Sequence, residues 1–178
     1  RKAVSALFSA VKEMGFVKEG ETDLTRPAPA SPPSVTSARR TDEFRLALFM
    51  AACLERAGLH AVLALSERYI GVGAWLFDSC FLESSSDDFK TVERYLSEGV
   101  NHLVFFEAED LFLESGAALR DSEARFLRRL KTGRYALFVD IQRCRAAGFA
   151  PCPTRGAGEG GYEIYEAASS PLPVPESR

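Results

Sequence analysis

Val4, Leu7, Phe8 and Val11 recur at helical spacing between Lys2 and Met14, and Gly15 follows as a natural stop, so the chain opens with a predicted amphipathic helix. The next stretch, 26–40, holds four prolines and little that could be buried, and predicts an extended loop or linker that sets the first helix apart from the rest. From Asp42, a plausible N-cap, apolar residues such as Phe44, Leu46, Leu48, Met50 and Leu54 surround most of the helix circumference until Gly58 ends the run. That pattern predicts a central, buried helix over 42–57, with Leu48 in its core.

Two apolar runs follow, His60 to Leu65 and Tyr69 to Phe77, joined by the polar Ser66-Glu67-Arg68 as in an antiparallel hairpin. Gly71 and Gly73 lighten one face of the second run. Ser84 to Asp88 offer caps for a helix carrying Phe89, Val92 and Leu96 and closed by Gly99. A third strand is predicted over 103–106, a helix over 123–130 capped by Ser122, a last strand over 135–140, and a short helix around Ile141 to Ala147. Together these elements predict an α+β fold in which a central buried helix packs on an antiparallel sheet with flanking helices. One domain over 1–153 is expected, followed by a loosely held Gly/Pro-rich tail over 154–178.

Composition narrows the function. The 178 residues are 46% hydrophobic and 26% charged, with a formal net charge of -3, the balance of a compact soluble chain with no basic excess to track phosphates. Nucleic acid is therefore not expected as a partner. No apolar run approaches the roughly 20 residues of a membrane span, and none has the form of a signal peptide. Because the chain begins with Arg1 rather than Met, it is read as a trimmed chain, a processed product or one module of a longer protein, soluble, with the compartment, cytoplasmic or exported, left open. Cys53, Cys80, Cys144 and Cys152 form no CxxC pair, so no zinc site or dithiol redox motif is expected; structural thiols, or one disulfide in an oxidising compartment, remain. No cofactor or metal is implied.

The pieces Leu46-Ala-Leu-Phe-Met-Ala-Ala-Cys-Leu-Glu-Arg-Ala-Gly-Leu-His60, Val72-Gly-Ala-Trp-Leu76 and Phe138-Val-Asp-Ile-Gln-Arg-Cys-Arg-Ala-Ala-Gly-Phe-Ala-Pro151 resemble, in order and approximate spacing, bacterial transglutaminase-like domains of the papain-like superfamily. Some members of that family are fused to helicases. The resemblance covers roughly residues 3 to 153 and implies a nucleophilic Cys at the N-terminus of the central helix, with a His base at the start of the strand ending in Val-Gly-x-Trp-Leu. The aligned positions here hold Glu43 and Tyr69, and Arg45 stands where the family motif has an Asp. Asp78 or Glu107 is the candidate for the orienting acid. A carboxylate acyl product is a mixed anhydride, and a phenol with a pKa near 10 is a poor base, so the substitutions imply a domain without catalytic residues. The expected role is a pseudoenzyme that binds a protein or peptide in the former cleft, with Glu43 accepting a hydrogen bond from the Tyr69 hydroxyl as a polar plug.

Rival readings stand beside this one. A displaced nucleophile could be Cys80, or less plausibly Cys53 in its apolar helix, served by His60 or His102; both histidines stand at strand edges, where a structural role is usual. Glu43, Glu107, Glu109 and Asp110 could form a metal or acid-base site, although carboxylates at strand ends are usually solvated or paired. Arg125, Arg128, Arg129 and Lys131 form a cationic stretch expected to be a solvated helix face, or else a contact for an acidic partner. A purely structural domain is the remaining class.

Overall fold

The computed structural model describes residues 1–20, 35–36, 39–97 and 99–149. Its helices are α1 (Lys2–Glu13), α2 (Glu43–Arg56), α3 (Phe89–Leu96), α4 (Leu119–Lys131) and α5 (Ile141–Ala146). Its strands are β1 (Val17–Lys18), β2 (Arg40–Thr41), β3 (Ala61–Leu65), β4 (Ile70–Trp75), β5 (Ser85–Ser86), β6 (Leu103–Glu107) and β7 (Leu137–Asp140), with a 3₁₀ turn at Ala108–Leu111. The main sheet runs β5-β7-β3-β4-β6, every neighbouring pair antiparallel, and β1 and β2 form a separate parallel pair. The chain is thus mixed α+β around an antiparallel sheet, as its patterning predicts.

Two apolar layers sandwich that sheet. On one side Leu63, Val72 and Phe106 meet α1 and α2 through Phe8, Leu46 and Met50; on the other, Phe105 and Phe138 meet α4 through Phe126 and Leu130. Strand periodicity explains the division, because successive side chains point to opposite faces. Along β4 the first face receives Ile70, Val72 and Ala74, whereas the second receives Gly71, Gly73 and Trp75. The glycines leave notches that aromatic rings fill: a Cβ at Gly73 would lie 2.6 Å from the Phe105 ring, and one at Gly71 would collide with Phe126. Those two rings stack on each other with centroids 4.5 Å apart.

Asp42 caps α2 as its sequence suggests, its Oδ1 accepting a hydrogen bond from the Arg45 amide at 2.8 Å. Leu46, Ala47, Met50, Ala51 and Leu54 form the buried stripe of this helix. Leu48 is 36% exposed, so the expectation of an all-round buried helix is corrected: α2 covers one face of the sheet and shows its back to solvent. The first helix is not set apart either, since Val4, Phe8 and Val11 of α1 share the core of α2. Within the Pro-rich stretch Val35 is buried and Arg40 is a strand residue, against the expectation of 26–40 as an unburied loop. The rest of that stretch, Cys152 and the 154–178 tail lie outside the described residues.

Two boundaries shift for identifiable reasons. Helix α4 starts at Leu119, and Ser122 is not its cap but a buried residue whose Oγ accepts a hydrogen bond from the Glu107 amide at 2.9 Å. The second hairpin strand ends at Trp75, leaving Phe77 62% exposed beyond it. No described helix is long and apolar enough to cross a membrane.

Candidate functional site

Helix α2 begins where β4 begins, and this juncture gathers a network of charged residues. Glu43, the first residue of α2, is buried; its Oε1 accepts a hydrogen bond from the Ile70 amide at 3.2 Å and its Oε2 pairs with Lys18 Nζ at 3.3 Å. Burial raises the pKa of the carboxyl and the Lys18 charge opposes that rise. The helix N-terminus adds its own preference for the anion.

Tyr69, the residue before β4, does not bond Glu43. Its ring instead lies under the Arg129 guanidinium, 3.8 Å from centroid to the central carbon, and so the expected carboxylate–phenol plug is replaced by two separate pairings. Arg129 then reaches Glu107 at the end of β6, an ion pair of 2.8 Å. The fully buried Glu107 also accepts from the Tyr135 hydroxyl at 2.7 Å through the same Oε2, while its Oε1 has no hydrogen-bond partner among the described residues. Desolvation pushes this carboxyl up to about 7, outweighing the downward pull of Tyr135 and Arg129. Burial and the neighbouring carboxylate push the Tyr135 phenol up as well.

From Arg129 the network continues outward. Its second terminal nitrogen donates to Glu109 Oε1 at 2.9 Å, and Arg125 bridges Glu109 at 3.3 Å and Asp110 at 2.6 Å. Asp110 is fully buried; its Oδ1 also accepts from Ser115 Oγ at 2.6 Å, and its Oδ2 is buried with no hydrogen-bond partner among the described residues. Beside these residues opens a cleft of about 830 Å³ lined in part by Lys18, Glu109, Asp110, Glu114, Asp121 and Arg125.

Sequence-selected residues therefore fall in two places. Glu43, Tyr69 and Glu107 are brought to one end of the sheet, together with Glu109 and Asp110. Asp78 lies at the far end of β4, its side chain 99% exposed and 3.9 Å from His60, so it does not share a site with the other three. Arg125 and Arg129 turn inward to the carboxylates rather than forming a solvated cationic face; Arg128 and Lys131 are exposed. Among the described residues no group of three or more His, Cys, Asp or Glu side chains could hold a metal ion, because the arginines stand between the carboxylates.

The rival thiols are placed just as clearly. Cys53, Cys80 and Cys144 are free and half-buried; burial raises the thiol pKa of Cys53 and Cys144, against a role as thiolate. No hydrogen bond links Cys80 to a histidine: His60 Nδ1 lies 3.1 Å from the Ser79 carbonyl, and His102 packs between the Phe77 and Tyr95 rings.

Tyr135 and Asp140 are residues that sequence reasoning passes over. Asp140, fully buried, caps α5 through the Arg143 amide and accepts from both the Trp75 indole at 3.0 Å and the Phe81 amide at 2.9 Å. An acid closing the apolar Leu137–Asp140 strand just before a helix is the signal that could have revealed it. Comparison with protein-family models, with curated proteins and with solved structures gave no match to this chain.

Proposed function

We propose that the chain is a catalytically inactive transglutaminase-like domain that binds a peptide or protein segment. One observation carries this reading. At the positions where the resemblance expects a thiol and an imidazole, Glu43 is held by Lys18 and Ile70 and Tyr69 is covered by Arg129, while Glu107, the candidate third group, is held by Tyr135 and Arg129. Acyl transfer needs a nucleophile and a base within hydrogen-bond reach, and neither group is present or free there. What remains is a juncture of helix and sheet with an open cleft alongside, of the size that ligands occupy.

The test has two arms. The chain is incubated with a glutamine-containing peptide and an amine donor, and separately with a thiol-directed probe; no transamidation or hydrolysis above background is expected, and no labelling near Glu43. Screening against an immobilised peptide library should meanwhile yield specific binders. Turnover abolished by Cys80→Ala would overturn the inactive reading in favour of a displaced nucleophile, and a library without a single binder would overturn the binding role.

A further inference from the structure

Building on the proposed peptide-binding role, we infer that the cleft beside the Arg129 network takes the cationic side chains, arginine or lysine, of a basic peptide. Its lining cations are already committed. Lys18 pairs with Glu43, and Arg125 pairs with Asp110 and Glu109. Two of the four lining anions are not: Glu114 and Asp121 are exposed and carry no ion pair among the described residues, whereas Glu109 and Asp110 are held by the arginines. The cleft therefore presents surplus negative charge to a ligand.

Asp110 makes the stronger case. An ionised carboxylate offers roughly four acceptor positions. Both hydrogen bonds that Asp110 receives fall on Oδ1; Asp110 lines the cleft, and its Oδ2 is buried with no hydrogen-bond partner among the described residues. A buried acceptor without a partner is costly, and a charged N–H donor entering the cleft relieves that cost. A compact cation is a poor fit because the described acids do not converge as metal ligands do. A basic side chain fits better: it delivers its charge on a long apolar stem, and Phe112 and Ala117 in the same wall provide a surface for that stem.

The experiment is fluorescence anisotropy with labelled alternating peptides, Gly-Arg and Gly-Lys against Gly-Ser and Gly-Glu controls, on the whole chain. Glu114→Gln/Asp121→Asn changes only exposed residues and spares the core; Asp110→Asn tests the buried acceptor, with a melting curve to confirm its folding. Basic peptides should bind in preference to both controls, and the double variant should weaken them on the order of tenfold. Equal binding of Gly-Arg and Gly-Ser, or basic binding untouched by both variants, overturns the inference. If the library still yields binders that are not basic, this inference alone has failed. If no peptide of any kind binds, the peptide-binding role falls with it.

Discussion

Arg129 reaches across from α4 to lie over the Tyr69 ring, 3.8 Å from its centroid, while its terminal nitrogen holds the buried Glu107 at 2.8 Å. The two contacts differ in what they are worth. A guanidinium over an aromatic ring contributes about 0.5–1 kcal/mol when partly exposed, whereas leaving a buried charge without its partner costs several. Tyr69→Phe keeps the ring and should leave stability within about 0.5 kcal/mol of the parent. Arg129→Met should lose about 3 kcal/mol in urea titration above about pH 8, where Glu107 of the parent is mostly ionised and paired. A Tyr69→Phe loss as large as that of Arg129→Met would show that the phenol hydroxyl matters more than its geometry allows.

Glu107 should make stability depend on pH. Its carboxyl moves from an ordinary 4.5 to about 7 on folding, so the folded chain takes up a proton between those values. The stabilisation is fully present below about pH 4.5 and is lost as pH rises through about 7, to the extent of roughly 3 kcal/mol at most. Comparing urea midpoints at about pH 5 and about pH 8, the parent should be more stable at the lower value relative to Glu107→Gln, in which this titration is absent. A parent and variant with parallel pH profiles would assign the proton elsewhere.

Leu46 and Leu48 distinguish the covered and uncovered sides of α2. Leu46→Ala should cost about 2–5 kcal/mol, as for a fully buried leucine, and Leu48→Ala about 1 kcal/mol or less. Thermal melts of the two variants check the assignment, and equal losses would mean that α2 is covered on both sides.

The two notches of β4 should not tolerate an added methyl equally. At Gly71 the obstacles are side chains only, the Phe126 ring and, at 3.2 Å, the Ala64 methyl; at Gly73 they are the Phe105 ring and a backbone atom, the Val104 carbonyl oxygen, 2.7 Å from the would-be Cβ. Gly73→Ala should therefore be the more damaging, with overpacking of this kind costing about 1–3 kcal/mol. The reverse order of melting temperatures would contradict this packing.

Asp140→Ala strips the acceptor from the Trp75 indole and from two backbone amides. Several unsatisfied donors at about 1–3 kcal/mol each make a severe loss of stability the expected outcome. Trp75 is the sole tryptophan, so a shifted emission in the folded variant reports the lost indole bond directly.

Much of this arrangement could be seen in the residues themselves. The Asp42 cap, the apolar stripe of α2 and the alternation around Gly71 and Gly73 are local signals, and each leads to the element it suggests. Strand β5 could not be seen, because Ser85–Ser86 carries no apolar pattern and pairs only through the backbone of β7. Ser122 looks like a cap because its role depends on the Glu107 amide, which is distant in sequence. The carboxylates of the candidate site and the cationic stretch of Arg125 and Arg129 are both visible in the sequence, but not their pairing: Arg125 and Arg129 share a helical face with Ser122 and Phe126, and that spacing, taken with its charges, points inward. The Tyr69–Arg129 contact joins the start of β4 to α4, sixty residues on in the chain, and has no local signature.

The alternation of small and large residues along β4 has a further effect, on how the hairpin can zip up. Sliding this strand by one position along β3 or β6 would turn Val72 and Ala74 toward the Phe105 and Phe126 rings and offer empty glycine to the α2 side. Both faces would then be wrong at once, one overfilled and the other hollow. The packing of both faces thus penalises a mispaired hairpin by itself, which leaves Tyr69 before β4 and Glu107 at the end of β6 free to be chosen for what they hold rather than for keeping the strands aligned.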